Sequence, residues 1–346
     1  MALPVYRSLK EAVATGRLKT SPEAAGLDPF VVDPDLPEDE AAIFERVDSG
    51  ACVFFDRESR LCLVHRDLGE QALATTCRTF PRLAVQDARG TSITLSHFCP
   101  TAASQLFRDD VPLEIVENPP AFPPADYDGL SVPDEELPPL LRPEVLMDAD
   151  GYTAWERHMV GRCADVRKPP ESILATLRRD ATLIGDWHPG PTSLSEMIAR
   201  LPAELVEAPA VDALAASLEC FHEAMTAVPE EFRPEPDEDG LAGTFAAYVR
   251  PEWHRFYAPL NRYIAAKAFA TWTAYQGRGV ATIVRGIEAA IAIVRVEASR
   301  QCRDADRPLN ADLLLEAFRR ADFILNHLAV GEDLAHAWSR VESTRA

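Results

Sequence analysis

Between Gly279 and Arg300 apolar side chains return at steps of three and four: Val280, Ile283, Val284, Ile287, Ile291 and Val294. That period belongs to a helix and predicts one apolar stripe on a core, with Arg285, Glu288 and Arg295 off the stripe. Those three charges would be strongly disfavoured in a bilayer core, so the run reads as a buried helix and not as a membrane span. Helical spacing recurs in TAWERHMVGRCADV, ESILATLRRDATLIG, SLSEMIARL and VDALAASLECFHEAMTAV, then from Trp253 to Gln276 and in ADLLLEAFRRADFILNHLA. Asn310 stands before the last of these as its N-cap. Residues 146–346 are therefore expected to form an α-helical domain.

The earlier part alternates differently. YRSLKEAVATGRL predicts a short amphipathic helix, and a second helix is expected around PEDEAAIFERV. CVFFD and LCLVH read as two short strands joined by DRESR, because aromatic and β-branched residues flank a polar, turn-forming spacer. RLAVQ and TSITLS alternate with period two around DARG, where Gly90 can take the positive φ of a tight turn. Between the hairpins DLGEQALATTC has helical spacing, which would carry Cys62 and Cys77 on opposite sides of a short helix. From Asn118 to Pro143 the chain holds eight of its 28 prolines, which oppose helix and favour extended backbone. The expected architecture is α+β: a small cysteine-rich domain of hairpins and helices over 1–117, a proline-rich linker over 118–145, and the helical domain.

Composition narrows the partners. With 346 residues the chain can build two cores. A formal charge of -20, from 35 Lys and Arg against 55 Asp and Glu, argues against nucleic acid as a partner, since phosphate neutralisation needs surplus cations. A basic partner or substrate fits better. Met1 is followed by no basic and then apolar leader, which points to the cytoplasm, where clustered cysteines mean metal or catalysis more often than disulfides.

Four of the seven cysteines, Cys52, Cys62, Cys77 and Cys99, follow one another as C-x9-C-x14-C-x21-C. Four thiolates satisfy either a tetrahedral zinc or an iron–sulfur cluster of the 4Fe-4S kind. The absence of a tight C-x2-4-C pair favours a cluster whose ligands come from separate elements; the plain alternative is four unrelated buried thiols. Cys163, Cys220 and Cys302 lie in helical sequence and read as small core residues. His65 could ligate, but fits better as a residue that orients a ligand by hydrogen bonding. Arg78 and Arg82 flank Pro81 in CRTFPR, where guanidinium groups could offset thiolate charge or hold a carboxylate; for Arg82 an ordinary surface position is an equal alternative. Trp253, His254, Tyr257 and Tyr263 could line a pocket, although an aromatic core stripe explains them more simply.

The strings GACVFF, LCLVHRDLGEQAL and CRTFPR, with an alternating strand ending in LSHFCPTAASQLF, resemble in order and approximate spacing the cysteine-rich region of the flagellin lysine N-methylase family. They also share the C, C-x-x-H, C-R-x-F-P theme of zinc- or iron-chelating cysteine-cluster proteins. The resemblance is close over residues 50–100 and weak over LNRYIAAKAF and the helices that follow. It implies an iron–sulfur centre and methyl transfer from S-adenosylmethionine to lysine side chains of a protein such as flagellin. One departure stands out. The family carries an earlier group with an adjacent Cys-Cys pair, and no cysteine precedes Cys52 here, which implies either different ligation or a start upstream of Met1. No G-x-G-x-x-G turn in strand-to-helix context and no C-x3-C-x2-C triplet occurs. The alternative is a non-enzymatic zinc- or iron-binding protein whose helical domain docks a partner.

Overall fold

The computed structural model describes residues 1–32, 40–48, 51–119, 129–131, 139–233, 237–276 and 279–345. Among them, one compact unit holds the residues up to Phe80 and a second holds those from Pro81 on.

The small unit begins with α1 (Leu3–Ala14), which buries Leu9 and Ala12. Two antiparallel pairs follow, β1 (Phe30–Val31) with β2 (Ile43–Phe44) and β3 (Phe55–Asp56) with β4 (Leu61–Cys62). The helix expected around PEDEAAIFERV is not present where the structure describes it; Pro37–Asp39 lie outside the described residues. Aromatic packing explains why Ile43 and Phe44 form a strand instead. Phe44 meets buried Phe54 edge-on at 5.4 Å, and Phe30 meets Tyr6 edge-on at 5.3 Å, so the strand pair supplies the core. The first hairpin forms as expected but ends sooner, because Leu63 and Val64 turn inward on α2 (Leu63–Leu68). The single helix expected over DLGEQALATTC is instead divided. Gly69, at φ 85°, ends α2, a 3-10 turn covers Glu70–Ala72, and α3 (Thr75–Thr79) carries Cys77.

The second unit opens with the expected hairpin, β5 (Arg82–Asp87) paired with β6 (Gly90–Leu95), and Gly90 takes φ 115° at the turn. After α4 (Pro100–Gln105), β7 (Gly129–Ser131) adds in parallel to β5. Most of the proline-rich stretch expected as a linker over 118–145 lies outside the described residues. Its described parts include β7 and β8 (Leu140–Arg142), which pairs with β9 (Val145–Leu146). The hairpin belongs with the helices for reasons visible in its bonds. Arg89 reaches Glu156 at 2.5 Å, Thr94 donates to the Ala266 carbonyl at 3.3 Å, and the His97 amide donates to Asp322 at 2.5 Å.

The helices run as α5 (Ala149–Arg162), α6 (Pro170–Gly185), α7 (Leu194–Ala199), α8 (Ala215–Thr226), α9 (Leu241–Thr244), α10 (Tyr257–Ala268), α11 (Val280–Ala305), α12 (Ala311–Phe323) and α13 (Gly331–Arg345). Local caps match the sequence: Asp148 accepts from Gly151 at 2.6 Å, and Ser193 with Glu196 forms a reciprocal capping box on α7. The run from Trp253 to Gln276 is broken, because α10 ends before Ala270, whose φ is 51°. At the centre lies α11, packed against α6, α8, α10 and α12. Its predicted stripe is buried, and each fully buried Ile or Val there contributes roughly 1.5–3 kcal/mol. Arg295, expected off the stripe, is buried as well. Its guanidinium meets Glu171 at 2.7 Å and lies over Trp253, whose indole N–H donates to the same carboxylate at 3.1 Å. From Ala289 to Ser299 every residue of α11 is buried, so Arg295 has no solvent face to turn to and its charge is neutralised in place. Among the described residues no helix is long and apolar enough to cross a membrane.

Candidate functional site

Three of the four clustered cysteines share the small unit. Cys52 lies in an isolated bridge with Arg46, Cys62 closes β4 opposite Phe55, and Cys77 rides on α3. Cys52 and Cys62 pack against the small core of Phe54, Leu63 and Val64. The thiols feel one another. Burial pushes Cys52 up and Cys62 adds to the shift; for Cys77, exposed as a residue, desolvation around the sulfur together with Cys52 and Cys62 pushes the thiol up to about 11. Near neutral pH, Cys52 and Cys77 are therefore protonated thiols.

Cys99 lies in the second unit, as the residue that precedes α4, with its carbonyl accepting from Ala103 at 2.9 Å. All seven cysteines are free. The donor set has the chemistry of a soft-metal site, but among the described residues no three His, Cys, Asp or Glu side chains are drawn together as a group that could hold a metal ion. His65 is exposed on α2, and Arg78 occupies the last turn of α3, both in the small unit. Arg82 begins β5 in the second unit, opposite Leu95. Cys163 and Cys302 are fully buried, with thiols pushed up by burial to about 12 and about 11.

Two of the four pocket candidates resolve as core, and Tyr257 is half-buried. Trp253 and Tyr263 are buried, and His254 is exposed. Tyr263 instead points to a polar cluster that periodicity does not reveal. Asp322, fully buried, takes hydrogen bonds from Tyr263 Oη at 2.7 Å and the His97 amide, and an ion pair from Lys267 Nζ at 2.5 Å. Burial alone would raise its carboxyl; Lys267 and then His97 outweigh that and hold it far below the usual carboxylate range. Nearby, Ser96 Oγ and His327 Nε2 are 2.9 Å apart. This is not a nucleophilic pair, since Ser96 is fully buried and the Asp322 carboxylate hydrogen-bonds His97.

Beside the cluster is a cavity of about 130 Å³, lined among others by Lys267, Phe269, Ile287, Leu325, Asn326 and Trp338. No family model, curated protein or solved structure matches this chain. The cavity and the cysteines thus stand on their own chemistry. Lys267, Asn326 and Trp338 come from α10, the π-helical turn Ile324–Leu328 and α13, and no local pattern in the chain marks them as neighbours.

Proposed function

We propose that the small unit is a thiol module for a soft metal, either an iron–sulfur cluster or zinc, built on Cys52, Cys62 and Cys77. The observation that carries this reading is that three free thiols share one unit of modest size, with Cys52 and Cys62 packed on the same small core. Thiolates gathered in one small unit repel one another, and a cation that binds all three removes that cost. Metal uptake would have to draw them closer, with His65 and Arg78 on the same unit available to orient ligands and offset thiolate charge. For the whole chain we propose the activity that the resemblance of residues 50–100 implies, methyl transfer from S-adenosylmethionine to lysine side chains of a partner protein in the cytoplasm. The alternative is a metal-binding protein without catalysis whose helical unit docks a partner.

Anaerobic purification followed by metal and acid-labile sulfide analysis tests the module. Bound iron with sulfide, or stoichiometric zinc, is the expected result; Cys62→Ser or Cys77→Ser removes it, and Cys163→Ser leaves it intact. Cys99→Ser separates a site confined to the small unit from the four-thiolate site. Protein free of both metals after anaerobic purification and after reconstitution would defeat the proposal. Methyl incorporation from labelled S-adenosylmethionine into lysines of a flagellin substrate then separates enzyme from docking protein.

A further inference from the structure

The cavity beside Lys267 exists because α11 places two small residues on a face of large ones. Ile283, Gly286, Ile287 and Ala290 line it, which are the i, i+3, i+4 and i+7 positions of one helical face. Gly286 has to be small: a Cβ there would come within 2.7 Å of the ring of Trp338, which lines the same space. Leu83, Phe269, Leu325 and Leu334 make the rest of the wall largely apolar.

The wall is also held from outside. The chain leaves α10 through Ala270 at φ 51°, a left-handed conformation that a residue other than glycine keeps only where its surroundings impose it. Buried Glu156 imposes it here: one carboxylate oxygen accepts from the Ala270 amide at 3.0 Å, and the other is held by Arg89 at 2.5 Å. The turn brings Thr271, Trp272 and Thr273 to the cavity. Beyond them the segment is tied down by Tyr275 Oη, which donates to Asp87, and by the Gln276 amide, oriented to donate to Gly331 O at 2.9 Å and accept from Glu332 N at 3.3 Å. Strained backbone fixed at both ends, next to the π-helical turn Ile324–Leu328, is of a kind that recurs at ligand sites.

What this wall can recognise follows from what reaches its surface. Among the described residues no Asp, Glu, Arg or His lines the space, and its one formal charge, the Lys267 ammonium, is taken by Asp322 at 2.5 Å. The indole nitrogen of Trp338 and the amide nitrogen of Asn326 are buried within the wall and offer no surface to a guest. A charged guest would lose its water with nothing to replace it. We infer that the cavity binds a small uncharged molecule built on a single aromatic ring, which Phe269, Trp272 and Trp338 can meet edge-on or face-on and which enters past Trp272, 38% exposed. The size is appropriate: 130 Å³ is close to the ~150 Å³ apolar cavity that holds a benzene molecule. The site lies wholly within the second unit and does not depend on the thiol module.

Calorimetric titration of the full chain with toluene, benzoate and benzylamine tests the inference. Toluene binds with one site per chain, and the anion and the cation of similar shape bind at least about tenfold more weakly. Ala290→Leu and Ala329→Leu each put an isobutyl group where a methyl lines the cavity, and each weakens toluene binding about tenfold or more. Circular dichroism of both variants checks the fold; if one fails to fold the other decides, and if both fail the three wild-type titrations decide. Absence of toluene binding to the wild-type protein, binding of benzoate or benzylamine as tight as that of toluene, or unchanged affinity in a folded variant would overturn the inference.

Discussion

Asp322 shows how much one buried charge can depend on its neighbours. Lys267, Tyr263 and His97 all converge on a carboxylate with no access to water. Its folded pKa is depressed, whereas in the unfolded chain it is about 3.9. The stabilisation it provides is therefore present above about pH 4 and is lost as pH falls toward the lower folded value. Asp322→Asn strands the Lys267 ammonium, and we expect a loss of about 3–5 kcal/mol near neutral pH. Urea denaturation at several pH values checks this: the gap between wild type and variant should narrow below about pH 4, and a gap that stays constant would show that hydrogen bonding, not charge, accounts for the loss.

At the scale of elements, caps and periods were legible and environments were not. Asn310 was recognisable as an N-cap, and its side chain accepts from Leu313 N at 3.0 Å; Asn310→Ala should cost about 1 kcal/mol, measured as a lower midpoint in chemical denaturation with unchanged slope. The hairpin around Gly90 and the stripe of α11 could also be read directly, because each is fixed by residues near in sequence. The burial of Arg295 could not, since its partners Glu171 and Trp253 come from distant elements. For the same reason the strand expected through LVH became helix once Leu63 and Val64 found a core, and the second hairpin joined the helices through Arg89, Thr94 and His97. Of the clustered thiols, three fall in the small unit, and spacing alone did not show that Cys99 falls in the other. The cavity left no trace in the chain, because the residues of its wall lie on elements joined only by folding.

For the molecule as a whole, the charge of -20 is a standing source of self-repulsion, which screening relieves. Raising ionic strength from about 0.01 M to about 1 M shortens the Debye length roughly tenfold, from ~30 to ~3 Å. The melting temperature should rise by a few degrees, at about 2–4 °C per kcal/mol for a domain of this size. A falling melting temperature would mean that ion pairs such as Arg178 with Glu288 matter more than the excess of acids. The position of α11 along the chain also gives its central packing a meaning in time. During synthesis α5, α6 and α8 leave the ribosome well before Ile291 and Val294, so their inner faces wait uncovered until most of the chain has been made. A ribosome that stalls before Gly279 would present those faces to chaperones or to other nascent chains, while the small unit, with Leu9, Phe30 and Phe54 already in hand, could close on its own soon after Phe80 emerges.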